Sequence, residues 1–486
     1  MNAQSPPFDF QRLARQEMIH EGFQPDFPPA VICEVNSLHA GTDLDGGLVD
    51  MRALLWSSID NTESRDLDQI EWAEQMPQGH IRVRVAVADV DAVVAANSAT
   101  DAHARINATS VYSGGPVFPM LPERLSTDLT SLGQDADRLA LLMEYVIAPD
   151  GQVVCADVCR ALVRNRARLN YEEVGSWLES RAPAAAAPFK VPGLGEQLLL
   201  QHEASRRLKA LRQQHGALVL GGEESEPIVV NNAVRGFAFT RDNPARELIE
   251  SFMVAANVAM AEFLRARHGL CLRRVVRTPK RWDRIQALAA PLGTKLPDTP
   301  DARALSEFLA QRKQTDPDHF PELSLAVLKS LGPGEYAVEH PGAEQQGHFA
   351  LAVADYSHAT APNRRYADLT MQRLLKATLA GSPAPFSETA LSDLAAHCTE
   401  REAAARHVER FMKKVAAAAM LAPQVGRVFD AMVTGVSPKG TFARLLTVPA
   451  EGRMMRGERG LDVGDKFRAR LAGVDPSKGF IDLERA

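Results

Sequence analysis

The segment Ser58-Ile59-Asp60-Asn61-Thr62-Glu63-Ser64-Arg65-Asp66-Leu67-Asp68-Gln69 puts three aspartates within nine residues, directly after an apolar run, spaced Asp60-x5-Asp66-x-Asp68. Carboxylates crowded in this way repel one another unless a cation neutralises them, and hard Mg2+ prefers oxygen ligands. A chain with this segment therefore folds either around a divalent ion or with the loop dissolved in solvent. An EF-hand is excluded, because the loop lacks the glycine at its sixth position and the later glutamate in register. Spacing alone leaves a metal centre and a solvated acidic loop both open.

The surrounding chain reads as an α+β protein. Ile81, Val83, Val85 and Val87 alternate with Arg82, Arg84, Ala86 and Ala88, the period-two pattern of a strand. Short helical spacing runs from Phe10 to Glu21, ahead of a proline-rich stretch near Pro25 to Pro29. Asp242-Asn243-Pro244 starts a second helix carrying Leu248, Ile249, Phe252, Met253, Ala256, Met260 and Phe263. Pro362 opens a third, with Ala367, Met371, Leu374, Leu375 and Thr378 on one face and Gly381 as its stop. A long helical region, broken once, is expected from Ser387 to Leu421. After Pro423 the texture changes to strand-like runs at Val428–Val436, Gly440–Leu446, Lys466–Val474 and Gly479–Leu483, separated by glycine turns, which suggests a small closed barrel. Pro/Gly-rich stretches at Pro183–Gly193, Pro291–Pro300, Gly332–Gly342 and Gly381–Pro385 punctuate the rest, with no internal repeat.

Composition narrows the class. With 486 residues, 45% of them hydrophobic and 24% charged, the chain can bury a real core. No window approaches the ~18 consecutive apolar residues of a membrane span. The N-terminus lacks the basic and apolar regions of a signal peptide. Five scattered cysteines (Cys33, Cys155, Cys159, Cys271, Cys398) without a Cys-x-x-Cys pair argue for reduced thiols in a cytoplasm and against cysteine-bound zinc. The net charge is −6, but from Gln424 onward 11 Lys and Arg face 8 Asp and Glu, so the tail is +3 and the remainder −9. A protein can be acidic outside and basic where it binds a polyanion.

The acidic segment resembles the signature of the ribonuclease II/R family (RNB domain), in which four aspartates hold divalent metals. Other matches follow in family order. Ala88-Asp89-Val90 is similar to the strand end after the signature. Tyr112 with Phe118-Pro119-Met120-Leu121-Pro122 and Leu125-Ser126-x-x-Leu129-x-Ser131-Leu132 resembles the segment with the base-stacking tyrosine. Leu248-Ile249-Glu250-Ser251-Phe252-Met253-x-x-Ala256-Asn257 is similar to the acidic helix, and Tyr356-x-His358-Ala359-Thr360-Ala361-Pro362-Asn363-Arg364-Arg365-Tyr366-x-Asp368 to the arginine motif. The last sixty or so residues resemble an S1-type OB barrel.

The resemblance implies an RNB catalytic domain, a mixed sheet surrounded by helices, at residues 51–422. A small S1-like RNA-binding barrel follows at 423–486, and a segment of unassigned role precedes at 1–50. It implies a 3′→5′ hydrolytic exoribonuclease on single-stranded RNA that releases nucleoside 5′-monophosphates, with Mg2+ or Mn2+ and no organic cofactor or membrane partner. Two ions would activate a water and stabilise the leaving 3′ oxygen. Asp60, Asp66, Asp68 and Gln69 occupy the ligand positions, and Asp68, Arg364, Glu250 and Tyr112 the catalytic ones. Arg364, in the first turn after Pro362, would clamp a phosphate; pairing of Arg364 and Arg365 with Asp368 is the plainer alternative. Glu250 and Asn257, seven residues apart, share one stripe of an apolar helix and should face a polar site, or else simply solvent. Tyr112 would stack on a base, worth about 1–3 kcal/mol. RNA contacts are also expected from Arg365, Phe442, Lys439, Arg444 and Arg453, with Phe429 either a stacking residue or core.

Three departures from the family pattern stand out. Gln69 replaces the fourth aspartate, so one negative charge is lost although its carbonyl can still coordinate. Leu220, in Gly216-Ala217-Leu218-Val219-Leu220, replaces the aromatic that sandwiches the terminal base opposite the tyrosine. About fifty residues precede the catalytic region, so the family's paired cold-shock barrels are not expected. The departures leave open an RNA-binding pseudoenzyme with weak or no nuclease activity.

Overall fold

The structure, a computed structural model, describes residues 8–39, 47–184, 188–221, 224–267, 269–317, 319–339, 347–438 and 440–486. Its centre is a mixed sheet of β1 (Val49–Asp50), β2 (Trp56–Asp60), β3 (Gln69–Gln75), β4 (Ile81–Ala88), β7 (Asp137–Ile147) and β8 (Val153–Asn170). A short hairpin, β5 (Val111–Tyr112) and β6 (Val117–Phe118), lies between β4 and β7 in the chain. The 18-residue β8 pairs antiparallel with β7 along residues 153–164 and parallel with β2 along 165–170, so the sheet curls back on itself. Ile81, Val83, Val85 and Val87 are all buried, as their alternation predicts, and Arg84 pairs across the strand gap with Glu144.

Two helices precede the sheet in the described part of residues 1–50. Helix α1 (Phe10–His20) starts at Asp9, whose side chain accepts from Arg12 N, and buries Phe10, Ala14 and Met18 against Ala404, Ala405, Val408 and Met412. From α2 (Pro29–Ser37), Glu34 accepts from Ala99 N and so caps α3 (Ala99–Asn107).

One face of the sheet is covered by α4 (Tyr171–Ser180), α5 (Leu194–Gln214) and α6 (Pro244–Ala266). Helix α6 begins where the sequence places it: Asn243 accepts from Ala245 N and Arg246 N, with Pro244 at the first helical position. Phe252 is fully buried against Tyr145 of β7, ring centroids 6.5 Å apart and edge-on, a burial worth roughly 2–3 kcal/mol. A hairpin of β9 (Glu224–Val230) and β10 (Ala233–Thr240) precedes α6, and β11 (Cys271–Val275) follows it, paired with β12 (Glu335–Glu339). Between those last strands, α7 (Trp282–Ala289), α8 (Ala302–Thr315) and α9 (Phe320–Leu331) enclose a separate core of Trp282, Ile285, Leu305, Phe308, Leu309 and Val327.

Two expectations about the C-terminal helices are corrected. Helix α10 (Tyr366–Leu379) starts at Tyr366, not at Pro362, because residues 362–364 form a turn. Arg364 therefore sits ahead of the helix rather than in its first turn. Helix α11 (Glu388–Leu421) runs unbroken for 34 residues; its alanine-rich stretch carries no glycine or proline to interrupt it. Ala417, Ala418 and Leu421 at its end enter the core of a closed barrel. The barrel order is β13 (Val428–Ser437), β14 (Gly440–Leu445), β15 (Glu451–Arg456), β17 (Phe480–Arg485) and β16 (Lys466–Asp475). The strand β15 has no strong hydrophobic alternation and was not expected.

Candidate active site

The acidic loop leaves the end of β2 and returns into β3, and its shape is fixed by groups distant in sequence. Arg168 of β8 donates to Thr62 O and Ser64 O at 2.8 and 2.7 Å. Ser131 accepts from Leu67 N and donates to Arg65 O. Ala88 N, at the end of β4, donates to Asp68 O at 2.9 Å. The arginine segment meets the loop directly, since Asn363 N donates to Asp68 Oδ1 at 3.1 Å and Thr130 Oγ1 donates to Asn363 Oδ1 at 2.6 Å. Ser110 N donates to Arg364 O, which ties the Tyr112 hairpin to the same segment. Six separate stretches of sequence thus converge through hydrogen bonds.

They enclose a cavity of about 640 Å³ whose walls include Asp60, Asp66, Asp68, Gln69, Tyr112 and Arg364. Asp60 accepts from Asn61 N at 2.7 Å and from Ser64 Oγ at 2.8 Å. Asp68 is 4% exposed, and burial pushes its carboxyl up to about 7 against the opposing pull of Arg364, whose Nε lies 3.8 Å from Oδ2. Burial, reinforced by the charge of Asp60, also raises Asp66. The three carboxylates and the Gln69 amide lining this cavity offer hard oxygens of the kind Mg2+ takes, although the carboxylate oxygens do not all lie within 4.8 Å of one another; among the described residues only Glu17, Glu21 and His407 are gathered that tightly. Arg364 and Tyr112 remain open to the cavity, the latter 40% exposed with its backbone N donating to Glu409 Oε1.

Other candidate residues lie elsewhere. Glu250 does not face this cavity: its side chain is 64% exposed, 3.8 Å from Arg212, and borders a smaller cavity that also holds Leu220. The reason is the pitch of α6, which turns Arg246, Ile249 and Met253 toward the aspartates instead. Asn257, on the same stripe, is buried and clamps the arginine segment, accepting from Ala359 N at 2.9 Å and donating to Tyr356 and Thr360 hydroxyls at 3.4 Å. Arg365 points inward and donates to Asp368, the plainer of its two readings, which removes it from the cavity wall. In the barrel, Phe429 is core. Phe442 is half-buried opposite exposed Arg453, whereas Arg444 is paired with Glu322 of α9 and so is not free for a phosphate. Lys439 lies outside the described residues.

Several wall residues escaped the sequence reading. Tyr171, at the start of α4, and Arg246, in the first turn of α6, line the acidic side. Glu409 and Lys413 of α11 line the cavity as well, and Lys413 pairs with Glu226 of β9 at 2.5 Å. The i, i+4 spacing of Glu409 and Lys413 was the only signal available, and on a long helix such pairs usually serve a solvated face.

Residues 48–381 match the RNB domain family, and residues 427–486 match the RNase II-type exonuclease C-terminal S1 domain. The chain belongs to the RNB family. Ribonuclease R of Escherichia coli (strain K12) is 30% identical over 437 residues, covering 86% of this chain but 52% of that protein. This RNB protein thus spans about half the length of curated relatives it matches. Its fold is that of Mycoplasma genitalium RNase R in complex with ribose methylated single-stranded RNA, with a TM-score of 0.89 at 24% identity over 98% of this chain and 78% of that one. Yeast Ssd1, described as a pseudonuclease, shares the fold at a TM-score of 0.73 and 16% identity, over 96% of this chain and 59% of its own.

Proposed function

We propose that this RNB protein is a cytoplasmic, divalent-metal-dependent exoribonuclease that acts 3′→5′ on single-stranded RNA and releases nucleoside 5′-monophosphates. One observation carries the reading: Asp60, Asp66, Asp68 and Arg364, from segments nearly three hundred residues apart, line one cavity with Tyr112 in its wall. The direction and product rest on family membership. Among the described residues, no helix is long and apolar enough to cross a membrane.

Asp60, Asp66 and Asp68, with the Gln69 carbonyl, would hold Mg2+ or Mn2+. When bound, the metal supplies Lewis-acid polarisation of the phosphate and a water of lowered pKa. Metal loading requires Asp68 in its ionised form, which Arg364 and the Asn363 amide already favour against burial. Arg364 is fixed by its backbone, through Ser110, while its guanidinium stays 46% exposed and can take a non-bridging phosphate oxygen. Tyr112 can stack on a base, and Tyr171 also lines the cavity. Incubation with 5′-labelled oligo(A) and Mg2+ or Mn2+ should give a stepwise ladder that Asp68→Asn abolishes, and a DNA oligomer of equal length should resist.

The second reading, an RNA-binding pseudoenzyme, is favoured by Gln69 in the cavity wall at a ligand position. RNA bound without any shortening in either metal would establish it and overturn the first.

A further inference from the structure

Arg246 brings a positive charge into the acidic cavity with no carboxylate closer than 3.9 Å among the described residues. It lines the acidic cavity from the first turn of α6, where the helix dipole disfavours a cation. Its guanidinium lies over the Tyr171 ring, 4.4 Å from the centroid, and Nη2 donates to Asn61 Oδ1 at 3.2 Å. Asn61 in turn donates its backbone N–H to Asp60. The carboxylate nearest to it among the described residues is that of Glu172, 3.9 Å away and 79% exposed, which offers little. Its Nε is buried with no partner among the described residues. The guanidinium is thus held at the cavity wall by stacking and one hydrogen bond to a neutral amide, with no close carboxylate to neutralise it.

The same cavity departs from its family pattern at Gln69, where a carboxylate is replaced by a neutral amide. These two facts are complementary in charge. Four carboxylates are balanced by two divalent ions. Arg364, 3.8 Å from Asp68, counts equally in both cases; beside it, three carboxylates and the Arg246 guanidinium reach the same balance with one divalent ion fewer.

We propose that Arg246 takes the place of the second metal ion: the centre binds one divalent cation at Asp60, Asp66 and Asp68, and Arg246 supplies the remaining positive charge to the phosphate at the RNA end. This deepens the nuclease reading and rests on it for the phosphate contact, but the ion count can be measured without catalysis. On this reading the charge of Arg246 offsets the carboxylate absent at Gln69.

The experiment titrates Mn2+ into the purified protein and counts bound ions by the loss of the free-ion paramagnetic resonance signal. The expected result is one Mn2+ per wild-type chain and two per Gln69→Asp/Arg246→Gln double variant. Arg246→Gln alone should keep one Mn2+ and lose about 10²–10³-fold in kcat with KM little changed, as for removal of one charge-stabilising donor. Arg246→Lys should recover part of that loss. Two Mn2+ of similar affinity in the wild type, or none, overturn the proposal, as does an Arg246→Gln activity within twofold of wild type. If a variant does not fold, as read by its circular dichroism, the wild-type count decides alone. A wild type that binds one Mn2+ yet shortens no RNA sinks the nuclease reading and leaves the one-ion centre standing.

Discussion

Helix α6 offers a sharp contrast between two polar residues that sequence reasoning could not separate. In Asn257→Ala, the buried Ala359 N–H loses its 2.9 Å acceptor in a site only 1% exposed. An orphaned buried amide costs about 1–3 kcal/mol. The two 3.4 Å bonds to Tyr356 and Thr360 are long and add little, on the order of 0.5 kcal/mol each. The expected loss is therefore about 2–4 kcal/mol, concentrated in the segment that carries Arg364. At ~1.4 kcal/mol per tenfold, local opening of residues 359–365 should become roughly 30- to 700-fold more frequent. Hydrogen exchange of peptides covering that segment reads this directly, and a fall in kcat should accompany it because Arg364 loses its fixed position. Glu250→Ala, seven residues earlier on the same helix, should change exchange and stability by less than about 0.5 kcal/mol, since its side chain is mostly exposed and 3.8 Å from Arg212. Unchanged exchange at 359–365 in Asn257→Ala, or an equal effect from Glu250→Ala, would show that the clamp has been misread.

The barrel phenylalanines should divide in the same way: Phe429→Ala should destabilise the barrel by about 3–5 kcal/mol in chemical denaturation, whereas Phe442→Ala should leave the fold intact and weaken oligo(A) binding by about 1–3 kcal/mol in fluorescence anisotropy. Burial lowers His348 to about 4, so the unfolded chain takes up its proton near pH 6.5 while the folded chain does not, and stability from this group is lost as pH falls below that point. Going from pH 7.5 to 5.5 should cost the wild type about 1.4 kcal/mol more than it costs His348→Gln; an equal cost in both would remove the buried histidine from the account. Gly151 has φ of +91° and a Cβ added there would lie 2.4 Å from Arg207 O, so Gly151→Ala should separate the β7–β8 turn from α5 and lower the melting temperature measurably, while Gly293→Ala, with nothing within 4 Å, should do much less.

What the sequence could reveal followed from local rules. The Asn243-Pro244 cap, the β4 alternation and the run of strands after Pro423 all depend on residues near one another, and the structure shows each. The acidic loop could be recognised but not positioned, because Arg168, Ser131 and Asn363, which hold it, are set by tertiary packing. Period seven placed Glu250 and Asn257 on one stripe, but the drift of a straight helix and the neighbours at each end decide what that stripe meets, so one residue is buried and the other solvated. Arg246 was invisible because a single arginine in a first helical turn has no pattern. Arg444 reads as a free cation until Glu322, more than a hundred residues earlier, is brought beside it by the fold. The unbroken α11 shows the limit from the other side: nothing in its sequence called for a break.

That helix has a mechanical consequence. Glu409 sits in the cavity wall and Leu421 in the barrel core, twelve residues on, so a rigid rod of about 18 Å joins them at 1.5 Å per residue. The N-terminal helix braces the rod on its flank, and Arg444 pins the barrel to the α7–α9 unit from the side. One helix therefore carries both the cavity wall and the barrel core, and it sets a constant distance between the barrel and the aspartates.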